Sequence, residues 1–581
     1  MKKVLYSMLA VAAAMSTTSC EDKLDIPQKG VTAIENFYQT DDDAEAALAA
    51  AYAGFATNVP GRGAGFIYTP YKVLLNNASD HMFAAGSNFG DNDFMAAINE
   101  YRFDSGLGVI NEFYKGLFGN VYDCNLVIDN FKEGTSTVQK RCTSEARVLR
   151  AYDYLLLTML WGTPPFVDHV LSADALPYNS DTDPENPMSH EDLLLWVASE
   201  CMDAANSLDE RASTADKDGA VKVTKGFAWA IAGKAYLFAG KNAEAKAALE
   251  KVISSGKYAL VPGEEYADLF HIKGDGCPEK VFEANLEFNS GIGAWGGINQ
   301  RSTWMEANIW NWRSDHFVAG ASPQQNYTGG CDGWGGLGVP QWWGDEFYAN
   351  DGHSFRFDAT LKHIDDAVYN MEYSAVAGLT DEQKKTSDKI GIADIEFGLY
   401  GQSCWLPFKQ MIRAEDVDLS YGNNVRLNNN IVMRYAEVLF LYAEACLNTG
   451  DATNATKVVN QIRERAGIAP LASVTMDVLK KEKGYELWLE GCRVIDMMRW
   501  GDTANASKAG NDVPKLFDKV FRAPKGGEKI TWENDRFYTV STHEAQDAGY
   551  QTGFKAGKHE LFPFPMDVME KNPNLRQNPG Y

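Results

Sequence analysis

Residues 432–466 read VMRYAEVLFLYAEACLNTGDATNATKVVNQIRERA, a pattern of two helices that meet at Gly450. Apolar and small residues recur at helical spacing from Val432 to Asn448 and again from Ala452 to Ala466. A glycine between two such runs supplies the left-handed backbone that ends one helix and begins a turn. We therefore predict an antiparallel helical hairpin in this stretch.

A second stretch, residues 223–254, repeats the pattern around Gly240. The small residues correspond in the two copies: Ala235, Gly240 and Ala245 in the first, and Ala445, Gly450 and Ala455 in the second. Small residues let antiparallel helices approach closely, and stacked hairpins of this kind form tetratricopeptide-like solenoids. Two copies are few, so coincidence is the alternative explanation of the match.

Several other segments carry helical patterns. Together with the two hairpins, the predicted helices are Asp41–Ala56, Ser144–Leu160, Val223–Phe238, Ala243–Ser254, Val432–Asn448, Ala452–Ala466, Asp477–Glu490 and Arg493–Arg499. The sequence thus predicts a mainly α fold, in which a tetratricopeptide-like helical-hairpin scaffold carries a loop-rich and aromatic-rich insert with short strands.

The insert is recognised by its composition. Residues 291–344 contain twelve glycines and seven of the chain's 14 tryptophans, namely Trp295, Trp304, Trp310, Trp312, Trp334, Trp342 and Trp343. Glycine is costly inside helices, so loops and short strands are predicted here. An indole ring offers a flat, polarizable face that suits the C–H face of a sugar. The alternative is that most of these tryptophans belong to the core.

We select candidate ligand-binding residues on this basis. Six are tryptophans of the insert, one is an arginine interleaved with them, and two belong to a polar cluster in an apolar stretch. The candidates are Trp295, Arg301, Trp304, Trp310, Trp312, Trp342, Trp343, Asn76 and Asp80. For Asn76 and Asp80 the alternative role is to cap a helix.

The net charge and the remaining motifs argue against several functions. The formal net charge of −25 argues against a nucleic-acid partner, which would require clustered lysine and arginine. Glycine-rich GxGxxG matches occur at Gly291 and Gly333, but the second runs into Pro340 and lacks the helix that a phosphate-binding loop needs. Histidines show no metal-ligand spacing. We predict no cofactor, no metal and no catalytic residue.

Three charged residues lie inside an apolar helical pattern. Arg434, Glu437 and Glu444 could take part in catalysis, but ion pairs between stacked helices are the favoured interpretation. Cys446 and Cys492 lie in similar patterns and are predicted to be core thiols. Two pairings, Cys124 with Cys142 and Cys277 with Cys331, remain open in an oxidising compartment.

The N-terminus has the pattern of an export signal. Lys2 and Lys3 precede an apolar run from Val4 to Met15, which is too short to span a bilayer. Cys20 follows small residues, a pattern typical of lipoprotein processing, in which the new N-terminal cysteine is acylated. The acidic residues after it are similar to the surface-export signal of Bacteroidetes lipoproteins. Ordinary secretion with cleavage near Ala14 is the alternative.

Six ordered signatures resemble the SusD/RagB family, the surface glycan-binding lipoproteins of Bacteroidetes. They are residues 24–27 (LDIP), 145–165 (EARVLRAYDYLLLTMLWGTPP), 223–237 (VTKGFAWAIAGKAYL), 434–467 (from RYAEVL to RAG), 485–501 (from YEL to RWG) and 572–581 (NPNLRQNPGY). The resemblance implies four tetratricopeptide-like helix pairs and a variable loop region that binds glycan. It also implies a partner, a TonB-dependent outer-membrane transporter over which the lipoprotein closes.

The resemblance leads to a domain division and a functional hypothesis. Residues 1–19 are predicted to be the signal peptide and residues 20–581 one domain, with scaffold parts at about 32–270 and 430–510, an insert at about 271–430 and a C-terminal segment at 511–581. The hypothesis is a non-catalytic protein, lipid-anchored at Cys20 to the outer membrane, that binds oligosaccharide. Alternatives are a surface glycoside hydrolase and a peptide- or glycoprotein-binding protein on the same scaffold.

Overall fold

The structure is a computed structural model that describes residues 37–59, 70–86, 92–285, 311–312, 331, 333–363, 405–417, 427–510, 516–519, 538–541 and 553–581. In this part of the chain the helices are α1 (Asp41–Asn58), α2 (Pro70–Asn77), α3 (Asp93–Asn99), α4 (Gly108–Phe131), α5 (Thr137–Trp161), α6 (His190–Ala204), α7 (Lys225–Phe238), α8 (Asn242–Ser254), α9 (Gln341–Asp351), α10 (Phe355–Thr360), α11 (Tyr435–Asn448), α12 (Ala452–Ala466), α13 (Met476–Glu486), α14 (Arg493–Trp500) and α15 (Met566–Lys571). The protein is therefore mainly helical, as the sequence predicts.

The described strands are short and pair in twos. They are β1 (Phe83–Ala84), β2 (Lys280–Ala284), β3 (Leu337–Gly338), β4 (Leu361–His363), β5 (Trp405–Pro407), β6 (Asn430–Arg434), β7 (Leu516–Lys519) and β8 (Tyr538–Ser541). Four antiparallel pairs form, β1 with β3, β2 with β6, β4 with β5 and β7 with β8. The β1–β3 pair joins the insert to the segment between α2 and α3, and the β2–β6 pair joins the two ends of the insert.

Helix starts follow from capping side chains. Thr40 accepts a hydrogen bond from the Asp43 backbone N–H at the start of α1, and the Asp43 side chain accepts one in return. Ser189 and Asp192 form the same reciprocal pair at the start of α6. Such pairs satisfy backbone donors that have no partner within the helix.

The two predicted hairpins are confirmed. Helices α7 and α8 meet at Gly240 and helices α11 and α12 meet at Gly450, with φ of +74° and +80°. The four matched alanines, Ala235, Ala245, Ala445 and Ala455, are fully buried. Helix α8 packs against α11, and each helix from α4 to α8 packs against the next, so the hairpins belong to one continuous helical scaffold.

Three predicted helix boundaries are wrong. The helix expected from Ser144 already begins at Thr137, where the Ser136 side chain caps it. The other two helices are shorter than expected. The helix expected from Val432 begins at Tyr435, because residues 430–434 form strand β6 and pair with β2. The helix expected to reach Glu490 ends at Glu486, and the chain then turns through Leu489 and Gly491, both with positive φ. In these two helices a distant pairing or a turn overrides a local helical pattern.

A buried cluster of charges joins the scaffold to the insert. Five cationic and five carboxylate side chains take part: Arg356, Lys409, Arg434, Arg463 and Arg465, with Glu279, Asp351, Glu482, Glu486 and Glu490. Arg434 is central, since it donates to Glu279 at 2.6 Å, to Glu486 at 2.7 Å and to Glu490 at 2.6 Å. The equal numbers of opposite charges allow these groups to be buried together.

The ion-pair interpretation of Arg434, Glu437 and Glu444 is confirmed. Glu437 accepts from Lys234 at 2.7 Å across α7 and α11, and Glu444 accepts from Arg499 of α14. Cys446 and Cys492 are buried thiols, as predicted. Cys124, Cys142, Cys277 and Cys331 are all free, so neither pairing left open by the sequence forms in the described structure.

The C-terminal residues complete the core beside α5. The Trp161 indole N–H donates to the Pro563 carbonyl at 2.9 Å, and Asn578 Nδ2 donates to the Trp161 carbonyl at 3.1 Å. Among the helices in the described ranges, none combines the length and the apolar composition that crossing a bilayer would require.

We expect Gly450→Ala to lower the free energy of unfolding by about 1 kcal/mol, because alanine disfavours the left-handed backbone that this turn requires. Space is not the reason, since nothing lies within 4 Å of the position an added methyl group would take. Gly450→Asn should cost less, because asparagine tolerates this conformation. Denaturant unfolding measures both variants, and equal losses would contradict the conformational explanation.

We expect Glu486 to make stability fall in acid. Burial alone would raise its pKa, but Arg465, Arg434 and Arg356 lower it to about 2. A carboxylate whose pKa is depressed on folding contributes stability above its unfolded pKa of about 4, and this contribution is lost as the pH falls toward 2.

Glu486→Gln tests this expectation in a pH series of denaturant unfolding. The variant should be about 3–5 kcal/mol less stable at neutral pH, because buried arginines lose a partner. Its stability should also change less between pH 4 and pH 2 than that of the wild type. Parallel losses in the two proteins would show that Glu486 does not carry the acid dependence.

Candidate functional site

The polar cluster at the end of α2 is held in place by α14 and the turn before it. Asn76 Nδ2 donates to the Lys72 carbonyl at 2.7 Å, and Asn76 Oδ1 accepts from the Gly491 N–H at 3.3 Å. Asp80 accepts two hydrogen bonds of 2.8 Å from Arg493. Burial alone would raise the pKa of Asp80, but His81 and Arg493 hold it below its ordinary value.

His81 connects this cluster to the tryptophans of the insert. Its ring stacks on Trp343 with 5.0 Å between centroids and meets Trp342 edge-on at 5.9 Å. Trp343 also stacks on Trp488 at 5.2 Å, and the Trp488 indole N–H donates to the His81 carbonyl at 3.0 Å. Two groups of candidates, far apart in the sequence, therefore meet around one imidazole.

Strand pairing brings these groups together. Strand β1, which follows His81 closely, pairs with β3, and α9 begins three residues after β3. Gly344, three residues after the start of α9, lies very close to the Trp405 ring. A methyl group in place of the Gly344 hydrogen would collide with that ring. The start of α9 is thus fixed between β1 and β5, which sets the direction of each neighbouring indole.

The two adjacent tryptophans of α9 have opposite environments. Trp343 is fully buried, whereas Trp342 is partly exposed. Trp312 is also buried, and its indole N–H donates to the Pro407 carbonyl at 2.7 Å. A ring without an exposed face does not stack on a sugar, so for Trp312 and Trp343 this arrangement favours the core alternative. Trp295, Arg301, Trp304 and Trp310 lie outside the described residues.

Polar groups border the partly exposed Trp342 indole. Asp345, on the same first turns of α9, is exposed and accepts from Gln341 Nε2 and from the Trp405 indole N–H, each at 2.8 Å. An indole face next to an amide and a carboxylate can bind a molecule that has one apolar face and several hydroxyl groups. This surface, Trp342 with Gln341 and Asp345, is the candidate site and is called the Trp342 surface below.

Sequence reasoning missed several residues of this arrangement. His81 directly follows Asp80, and this adjacency was the available signal for its role. Trp488 and Arg493 belong to scaffold segments, and only the three-dimensional packing shows that they support the site. Trp334, counted among the seven tryptophans but not among the candidates, is also partly exposed.

In the described residues, one set of three histidine, cysteine or carboxylate side chains lies close enough to share a metal ion, namely His271, Glu415 and Asp416, with ligand atoms within 4.8 Å of one another. Asp416 already accepts from His271 Nδ1 at 2.6 Å, and from the Ile272 and Arg413 N–H groups at 2.9 Å each. Burial would raise the pKa of Asp416, but these donors lower it. Because its oxygens are occupied, we assign this group a structural role.

Comparisons with known proteins agree with this fold. A model of the SusD family matches residues 304–581. SusD-like protein P25 of Formosa agariphila is 23% identical over 543 residues, which cover 86% of this chain and 90% of that protein.

Solved structures share the architecture. A laminarin-binding SusD-like protein matches with a TM-score of 0.69 and 20% identity, over 94% of this chain and 100% of that one. Surface glycan-binding protein A of Bacteroides thetaiotaomicron, in complex with laminarihexaose, matches with a TM-score of 0.68 and 17% identity, over 93% and 100%. At such identities the structures show the fold. The family match and the curated relatives confirm the resemblance to the SusD family that the sequence shows.

Proposed function

We propose that this protein binds oligosaccharides at the cell surface and does not cleave them. The observation that carries the proposal is the partly exposed Trp342 indole on a buried base of Trp343, Trp488 and His81. Because the base is packed on both sides, the platform keeps its orientation without a ligand, and little conformational entropy is lost on binding. Gln341 and Asp345 would bond to sugar hydroxyl groups beside the ring.

The ligand class is supported by relatives of the same fold. One solved structure is described as a laminarin-binding protein, and another contains laminarihexaose. From these two structures we take only the class of ligand, a glycan, as a proposal for this protein, and not the particular polymer. Trp295, Arg301, Trp304 and Trp310 remain proposed contacts of the same binding region. We propose that Asn76 and Asp80, which are buried, stabilise this binding region from the interior of the protein.

The location and the partner are proposed from the N-terminus and the family resemblance. Cys20 would be acylated after removal of residues 1–19, and two or more acyl chains anchor a protein stably where one is marginal. The protein would face outward from the outer membrane and deliver glycan to a TonB-dependent transporter. A lid that closes with glycan requires higher affinity for the ligand in the closed form than in the open form.

We expect Trp342→Ala to weaken glycan binding about tenfold, which corresponds to roughly 1.4 kcal/mol, because the stacking face is lost. Affinity electrophoresis with a polysaccharide panel first identifies a ligand, and calorimetry then gives its Kd for wild type and variant. The variant should unfold at nearly the wild-type temperature, since the ring is partly exposed.

Trp229→Ala is the matched control. Trp229 is a partly exposed tryptophan of α7, in contact with Lys251 rather than with the insert. Its loss should leave the Kd unchanged. Equal affinities of the Trp342→Ala variant and the wild type would remove the Trp342 surface from the proposal. Release of reducing sugar by the purified wild type would favour a hydrolase instead.

We expect Cys20→Ala to abolish membrane association, because the acyl chains have no attachment site. Metabolic labelling with palmitate detects the acyl chains, and fractionation of the outer membrane measures the association. Proteolysis of intact cells tests whether the protein is exposed at the cell surface. Cys277→Ala, which removes a partly buried thiol of the body, is the control and should remain labelled. Labelling of the Cys20→Ala variant would contradict the proposed anchor.

A further inference from the structure

Three oxygen-bearing side chains meet in the scaffold between α1, α4 and α5, far from the Trp342 surface in sequence. They are Asn120 and Asp123 of α4 and Asp153 of α5. Asn120 and Asp153 are fully buried, and Asp123 is half-buried. Asn120 Nδ2 donates to Asp153 Oδ2 at 2.6 Å. Neither the ion pairs of the scaffold nor the proposed function uses these groups.

Gly54 of α1 shows how closely the groups approach. A methyl group in place of its hydrogen would collide with Asp123 Oδ2 and would lie 3.3 Å from Asn120 Oδ1. These two oxygens therefore border the same point on α1. The amide of Asn120 then directs its nitrogen to Asp153 and its oxygen toward the side where Asp123 lies.

Two oxygens of this cluster lack donors. In the described structure, Asn120 Oδ1 and Asp153 Oδ1 are buried and accept no hydrogen bond. Native proteins satisfy nearly all such groups, since an unsatisfied buried acceptor costs free energy. Burial raises the pKa of Asp123, and burial together with Asp123 raises that of Asp153. Ionising both carboxylates therefore requires a positive charge that the described side chains do not supply here.

We propose that Asn120, Asp123 and Asp153 bind a hard metal cation, of which calcium is the best match. A cation satisfies an amide oxygen and two carboxylates at once and compensates their charge. A water molecule would leave both charges uncompensated. An all-oxygen set suits calcium, which accepts six to eight oxygen ligands in flexible geometry, and the half-buried Asp123 leaves a side open for water ligands.

The competing arrangement needs no metal. If Asp153 were protonated and the Asn120 amide were turned over, Asp153 would donate to the amide oxygen and the amide nitrogen would donate to Asp123. Both arrangements keep the short contact between Asn120 and Asp153, but only one of them responds to a cation. The two are therefore separated by experiment on the full chain.

The test uses protein treated with EDTA and then titrated with calcium chloride at neutral pH and constant ionic strength. We expect one calcium ion to bind per chain by calorimetry, and the Tm to rise by a few degrees through linkage. Asp123→Asn changes a half-buried group that makes no ion pair in the described structure. In this variant the stoichiometric calcium binding and the rise in Tm should both be lost. Asp153→Asn should give the same loss.

Glu133→Gln is the control, because Glu133 is an exposed acid just beyond α4 and should keep the full response. Calcium binding that persists in Asp123→Asn would identify adventitious binding to the acidic surface and overturn the proposal. A wild type with no stoichiometric binding and no rise in Tm would overturn it as well, in favour of the protonated arrangement.

Discussion

The buried guanidinium of Arg434 is the constraint on which the rest of the structure depends. It ends strand β6 and directly precedes α11, so it lies where the insert returns to the scaffold. Its partners come from Glu279 just before β2, from α13 and from the turn after α13. Charges buried in this way are costly unless every member is paired, so the cluster forms only when these elements are all in position. The arrangement favours one geometry of scaffold and insert over alternatives.

The Trp342 surface depends on this geometry through a chain of contacts. Lys409, four residues after Trp405, donates to Glu490 within the charge cluster, and Trp405 packs against Gly344 at the start of α9. Trp488, between Glu486 and Glu490, stacks on Trp343. The exposed indole thus stands on side chains that are themselves fixed by the buried charges. A surface supported in this way keeps its shape without a ligand.

How much the sequence predicts depends on the range of the interactions involved. The two hairpins were predictable because helix period, small residues and a turn glycine are all local signals. Strand β6 was not, because residues 430–434 are extended only through pairing with residues 280–284. Trp342 and Trp343 are neighbours in one aromatic-rich segment, and nothing local shows that one is exposed and the other buried. That difference comes from the β1–β3 pair and the contact of Gly344 with Trp405, which are both tertiary. The role of His81 was hidden for the same reason.

Pairing of β2 with β6 has a consequence for how the protein can diversify. The ladder brings Ala284 and Asn430 face to face, so the segment between them leaves and rejoins the scaffold at one point. The entropy of closing a loop grows only slowly with its length, so insertions and deletions inside a segment closed at its base have a small thermodynamic effect on the helices. Related chains could therefore vary this segment in length and sequence, apart from strand β3 and the residues that join the buried charge cluster, while inheriting the same helical body.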